Sequence, residues 1–443
     1  MTRARFDVAV IGAGSAAEAL VTHLDGTGLD IVVFEAELVG GECPFVACMP
    51  SKSMLHDVNT GRTWDEAVRR RDEIVSHLDD REHADGLRDR GITLVRESAE
   101  IVGPGLVRAG DDDYVATDIV IATGARPVAP DIDGLDLSHD RVWTSRDALT
   151  TTERPASIVM IGGGVIGSEL AYMFAGFGSD VTTLDESERP LDTSHPEVSR
   201  LIGEHLAGIG VNVVNGISVV RVVLSETDIE VHLADGTVHT AERVLVATGR
   251  RPQLSGLGLE NVGVNDVDEI EVDDRGAVVG ADHVWIAGDA AGREQYTHVA
   301  NEHGAVIADH LAGSGTRRFG VHVIPACVFI DPPVLTVGPR WTELEGDDDV
   351  VWVEVDVDPP RNSTDEHATG FLALAARRST GCLVAANGIG ARFDELAHAI
   401  VIAVDGEVPV DLLARTIQPF PTVGGVLSDA FRRLADALRD TTD

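Results

Sequence analysis

The sequence predicts an α/β chain: two three-layer domains built on parallel βαβ units, followed by a C-terminal α+β domain. Three observations predict it. An apolar run over residues 6–11 meets Gly12-Ala13-Gly14-Ser15-Ala16-Ala17, an apolar-periodic helix follows, and 30–35 reads as the next strand. The same plan returns at 157–185: a strand over 158–161, the turn Gly162-Gly163-Gly164-Val165-Ile166-Gly167, a helix through Phe174 and a strand ending at Asp185. Beyond about Arg318 the pattern changes to alternating runs at 350–355 and 370–376, which read as antiparallel strands, with helices starting at Asp394 and Asp411.

Each Rossmann-like unit carries its own chemistry. In the first, Gly12 permits the turn, Gly14 lets backbone N–H groups approach a diphosphate at the helix N-terminus, and small Ala17 lets the helix pack on the strand. Glu35, 23 residues after Gly12, is placed to bond a ribose hydroxyl. In the second, Gly162, Gly164 and Gly167 repeat the pattern and Asp185 takes the acidic position. Two such units predict two bound nucleotides. Asp185 favours a ribose 2′-hydroxyl, and Glu186 and Glu188 would repel a 2′-phosphate, so NADH is expected over NADPH, with Arg189 the one basic residue nearby. The strand ends Ala122-Thr123-Gly124 and Ala247-Thr248-Gly249 echo one another and point to duplicated domains. A third apolar run, 284–287, ends in Gly288-Asp289 before a helix over 298–311; Asp289 reads equally as a ribose or ribityl ligand and as a helix cap.

The segment Gly40-Gly41-Glu42-Cys43-Pro44-Phe45-Val46-Ala47-Cys48-Met49-Pro50-Ser51-Lys52 holds two of the four cysteines and the chain's only lysine. Arginine supplies every other basic side chain, so position 52 calls for a compact ammonium on a flexible stem. Two cysteines five positions apart can close a small disulfide ring if the turn brings their Cα atoms within about 7 Å. The other two, Cys327 and Cys382, sit in apolar strand-like settings and are expected to be buried and structural.

Composition bounds the rest. At 443 residues, with 44% apolar and 25% charged residues, the chain is long enough for roughly three domains. A formal charge of −39, partly in the runs 111–113 and 347–349, repels nucleic acid and anionic membranes and leaves small molecules as the expected partners. The runs 347–349 and 358–366 read as exposed loops. No apolar run approaches the length of a membrane span, and neither a signal peptide nor a metal centre is read, so a cytoplasmic setting is expected.

Taken in order, these motifs resemble the class I flavin-dependent pyridine nucleotide–disulfide oxidoreductases, the family of dihydrolipoamide dehydrogenase, glutathione reductase and mercuric reductase. Glu169 after the second glycine turn and Phe329-Ile330-Asp331-Pro332 in the last domain extend the resemblance over nearly the whole chain. It implies an FAD-binding domain at 1–150 and 273–317, an NAD(P)H-binding domain at 151–272 and a C-terminal dimerisation domain at 318–443. FAD would be held by Gly12, Gly14, Glu35, Lys52, Gly124, Gly288 and Asp289, and NADH by Gly162, Gly164, Gly167, Asp185 and Gly249. Cys48 would lie beside the flavin, Cys43 would exchange with substrate, and Lys52 would pair with Glu169 near the flavin. A homodimer is implied.

One departure stands out. Similar enzymes carry His-Pro-Thr-x-x-Glu near the C-terminus, whose histidine crosses the dimer interface and protonates the departing thiolate; this chain reads Phe420-Pro421-Thr422-Val423-Gly424-Gly425. Phe420 cannot move a proton, and losing a positioned acid commonly costs about 10²–10⁴-fold in rate. The leading expectation is therefore electron flow from NADH through FAD to the Cys43–Cys48 pair and on to a small substrate, without a histidine acid. The alternatives are direct reduction of a quinone or metal ion by the flavin, and a flavoprotein that has lost turnover and serves in binding.

Overall fold

The structure, a computed structural model, describes residues 4–225, 227–268, 270–357, 370–420 and 422–440. The expected loop at 358–366 lies outside the described residues. The chain divides into two compact units, one of Met1–Ser53, Ala67–Val128 and Gly249–Val321, the other of Met54–Glu66, Ala129–Thr248 and His322–Asp443.

In the first unit a seven-stranded sheet runs Thr93–Val95, Ile31–Phe34, Ala4–Ile11, Asp112–Ile121, Leu106–Ala109 and Ala99–Gly103, with Val284–Ile286 pairing parallel to the end of Asp112–Ile121. Its central strands are apolar on both faces: Ala9, Val10, Val32, Val33, Val120 and Ile121 have no exposed surface. Such two-sided burial is what a sheet covered on both faces requires, here by helices on one side and by residues such as Ile101, Val107, Leu254 and Leu257 on the other. Helix Ser15–His23 covers one face together with Thr297–Leu311. The two helices pack so closely that a Cβ at Gly304 would lie 2.2 Å from the carbonyl oxygen of Ala16.

The second unit contains a five-stranded parallel sheet in the order Asn212–Asn215, Asp180–Asp185, Ser157–Ile161, Arg243–Val246, Val142–Trp143. A three-stranded antiparallel sheet, Val219–Leu224, Ile229–Leu233 and Val238–Ala241, accompanies it. The same unit holds the five-stranded antiparallel sheet Pro325–Val328, Val334–Val337, Leu383–Ile389, Gly370–Arg377, Val350–Val357. Helices Phe393–Asp405 and Gly424–Arg439 bury Phe393, Ile400, Leu427, Phe431 and Leu434 against it. The duplicated α/β plan with a C-terminal α+β part is thus the fold of the chain.

Local expectations differ in two places. The helix expected from Asp411 is a single turn, Val410–Leu413, and the next helix begins at Gly424. Cys327 and Cys382 are half-buried, not buried. Cys327 lies on the edge strand of the antiparallel sheet, and Cys382 at a strand start, where its thiol donates to the Glu407 carbonyl at 3.0 Å. Among the described residues no helix is long and apolar enough to cross a membrane.

Candidate active site

The first unit builds a glycine-lined cradle where strands Ala4–Ile11, Ile31–Phe34 and Asp112–Ile121 end. Gly12 has φ +99°, and a Cβ there would stand 2.4 Å from the Ala122 carbonyl oxygen, so only glycine fits between the two strand ends. Gly14 is the N-cap of helix Ser15–His23, and the backbone of Gly41 packs on it: a Cβ at 41 would lie 2.7 Å from Gly14 Cα. That closeness leaves bare backbone facing the helix start, as a diphosphate needs. Glu35 follows strand Ile31–Phe34 and accepts from the N–H groups of Ala13 at 2.8 Å and Glu37 at 2.7 Å. Burial pushes its carboxyl above the ordinary value, and those two N–H groups oppose the shift. Gly288-Asp289 opens a short 3₁₀ turn after Val284–Ile286, and burial likewise raises the Asp289 carboxyl, against the nearby positive charge of Arg250.

The two Ala-Thr-Gly ends meet in a small ribbon. Strands Ala125–Pro127 and Arg250–Pro252 pair antiparallel, Gln253 N–H donates to the Gly124 carbonyl at 2.9 Å, and Val128 N–H to the Gly249 carbonyl at 3.0 Å. Gly249, expected at the second nucleotide, therefore begins a segment of the first unit.

The cysteines sit on two consecutive helical pieces, Glu42–Val46 and Cys48–Asn59, separated by the non-helical Ala47. The two thiols are not joined by a disulfide and lie within hydrogen-bonding reach of each other. The Cys43 thiol is pushed up by the adjacent Cys48 and by burial, while Thr297 and Lys52 act in the opposite direction. Cys48 Sγ lies 3.3 Å from Thr297 Oγ1, at the start of helix Thr297–Leu311. Lys52, half-buried, is four residues after Cys48 on the same helix and so shares its face. A dithiol flanked by one hydroxyl and one ammonium can open and close as a disulfide and stabilise a thiolate when reduced.

In the second unit Gly162 has φ +112° and a Cβ there would meet the Ala247 carbonyl oxygen at 2.5 Å, repeating Gly12. Gly164 caps helix Val165–Gly176, and a Cβ at Gly167 would lie 1.9 Å from the Gly162 carbonyl oxygen. Asp185 accepts from the N–H of Gly163 and, at 2.7 Å, from that of Ser187. Glu169 is 5% exposed and its Oε1 accepts from the Phe329 N–H at 2.9 Å, which joins the second glycine helix to the 329–332 motif. Lys52 and Glu169 belong to different units, as do Cys43 and Phe420; Phe420 is 82% exposed.

Three contributors carry no motif. Thr297 stands 249 positions from Cys48, Arg250 reaches back to Glu42, and His303 supports the Gly288 turn, accepting from the Gly288 N–H at 3.2 Å while stacking on Phe319. Only the alternation of small and apolar residues along 297–311 hinted that His303 faces inward. Burial, helped by Arg293, lowers the His303 pKa from 6.5 to about 4. Above about pH 6.5 the ring is neutral whether the chain is folded or not; between about 6.5 and about 4 only the unfolded chain takes up the proton. Stability should therefore fall by about 3 kcal/mol over that window and no further below it. Thermal melts from pH 7.5 to pH 4 check this, with a steeper decline expected for wild type than for His303→Gln; parallel curves would refute it.

The chain belongs to the pyridine nucleotide-disulphide oxidoreductases: the family model matches residues 6–304, and the model of that family's dimerisation domain matches 324–431. It is an enzyme of that family, whose members use FAD and a pyridine nucleotide. Among its relatives are a mercuric reductase of Staphylococcus aureus, 27% identical over 94% of this chain and 80% of that one. A dihydrolipoyl dehydrogenase of Halobacterium salinarum is 29% identical, over 96% of this chain and 95% of that one. The solved Cu(II) complex of RclA, the HOCl-induced flavoprotein disulfide reductase of Escherichia coli, matches with a TM-score of 0.89 at 27% identity, covering 98% of this chain and 100% of that one.

Proposed function

We propose that the enzyme carries two electrons from NADH through FAD to the Cys43–Cys48 pair and on to a small acceptor whose reduction needs no histidine proton donor. The observation that carries this reading is the pair of adjacent thiols with Thr297 Oγ1 3.3 Å from Cys48 Sγ, in the unit that holds the Gly12–Gly14 cradle. Those residues fit the dinucleotide: bare backbone at Gly14 and Gly41, and half-buried carboxylates at Glu35 and Asp289 for hydroxyl groups. Bound FAD would supply two-electron acceptance from the nicotinamide and two-electron delivery to the disulfide. Cys43 exchanges with the acceptor, Cys48 completes the disulfide, and Lys52 holds positive charge near the flavin.

NADH over NADPH is supported by Asp185 and by the posture of Arg189, whose guanidinium donates to the carbonyls of Asp192 at 2.8 Å and Ser194 at 3.3 Å instead of waiting for a phosphate. The domain limits of 1–150 with 273–317, 151–272 and 318–443 and a cytoplasmic setting belong to this reading. So does a homodimer, supported by the exposed Ile402, Leu412, Ile417 and Phe420 of the last domain, of which Ile417 is 96% exposed. Acceptors such as metal ions, which receive electrons without a departing thiolate, are favoured by the absence of an acid at position 420. Anaerobic titration with NADH tests the pathway. Reduction should expose one new dithiol per chain to a thiol reagent and should go faster with NADH than with NADPH. Flavin reduction without any gain in thiols would overturn it.

A further inference from the structure

Arg250 serves two acidic groups at once. Its Nη2 donates to Glu42 Oε2 and to the Ala125 carbonyl, and its charge lowers the pKa of half-buried Asp289, which desolvation and Glu42 raise. The Arg250 side chain is 16% exposed, and its backbone is held by the ribbon of Arg250–Pro252 on Ala125–Pro127. Glu42 directly follows Gly41, whose backbone lies against Gly14 of the first glycine turn, and directly precedes Cys43. A carboxylate at this point stands next to where a dinucleotide diphosphate meets helix Ser15–His23. Alone it would oppose that diphosphate by like-charge repulsion in a partly dry setting.

We propose that Arg250 is a positioning residue for the flavin: by holding Glu42 it cancels the carboxylate beside the diphosphate and fixes the turn that carries Cys43. The inference rests on the FAD reading above and deepens it. The consequence is a specific coupling. Removing Arg250 leaves two carboxylates without their counter-charge, whereas removing the charge of Glu42 as well takes away the group that needed it.

The test compares wild type, Arg250→Met, Glu42→Gln, the double variant and Arg250→Lys. The flavin content of each purified protein is measured, and so is the FAD affinity of its apo form by quenching of flavin fluorescence. Arg250→Met should bind FAD about 10-fold or more weakly, as expected for an unpaired, half-buried charge. The double variant should recover to within about 3-fold of wild type, and Arg250→Lys should keep most of the affinity because it keeps the charge. A Met variant that binds FAD as wild type does, or a double variant no better than Arg250→Met, overturns the proposal while leaving the FAD reading standing. Wild-type protein that neither carries nor binds flavin overturns both.

Discussion

Replacing Cys43 with serine is expected to cut turnover of a small-molecule disulfide by about 10³-fold or more while NADH still reduces the flavin. Serine preserves the volume and the hydrogen bond but cannot form a bond to sulfur, so electrons would reach the flavin and stop. The prediction follows from the unequal surroundings of the two thiols. Cys48 is the one placed 3.3 Å from Thr297 Oγ1, while Cys43, one residue after Glu42 and at the start of its own short helical piece, is the one proposed to meet the acceptor. Its thiol is raised by Cys48 and by burial, so the partial relief from Thr297 and Lys52 decides how much reactive thiolate forms. Steady-state assays with a disulfide, a quinone and a metal ion, run beside rapid-mixing flavin reduction, give the answer. Full activity of Cys43→Ser with every acceptor would mean that the flavin reduces them directly and that the dithiol is a bystander.

The parts of this enzyme that were legible in its sequence are those where backbone geometry forces residue identity. Gly12 and Gly162 must accept positive φ against a carbonyl 2.4 and 2.5 Å from a would-be Cβ, so both turns announce themselves, and the acids Glu35 and Asp185 follow at strand ends. The strands read well because central parallel strands bury both faces and must be apolar throughout. What stayed hidden is set by tertiary contact alone. Thr297 is an ordinary threonine until the fold brings its hydroxyl to Cys48, and Arg250 gains its meaning from Glu42, 208 positions away. His303 looks like any helix residue, yet the close crossing of its helix over Ser15–His23 buries it under the Gly288 turn. The helix expected from Asp411 is present at Val410–Leu413, but its single-turn length was not legible, since no glycine or proline stands directly after Leu413 to mark the stop.

Restoring the missing acid should change what the dithiol can reduce. The double variant Phe420→His, Gly425→Glu is expected to reduce an ordinary disulfide about 10²-fold faster than wild type, with a bell-shaped pH profile that the parent lacks. The substitution suits the local structure. Gly425 is the second residue of helix Gly424–Arg439, a Cβ there meets nothing within 4 Å, and the first turn of that helix contains no acidic residue. A glutamate in place of that glycine should itself add about 0.5–1 kcal/mol to helix stability, with a further favourable contribution from its charge near the helix N-terminus. Phe420 is 82% exposed, so exchanging it for histidine opens no cavity in the chain's own core. Because the acid would act across the subunit interface, the gain should vanish on dilution below the dimer's dissociation constant. Quinones and metal ions, which need no proton at a departing sulfur, should be reduced at unchanged rates. A folded, dimeric double variant that gains nothing on disulfides would show that the acceptor pocket, and not the absent proton donor, decides what this enzyme reduces.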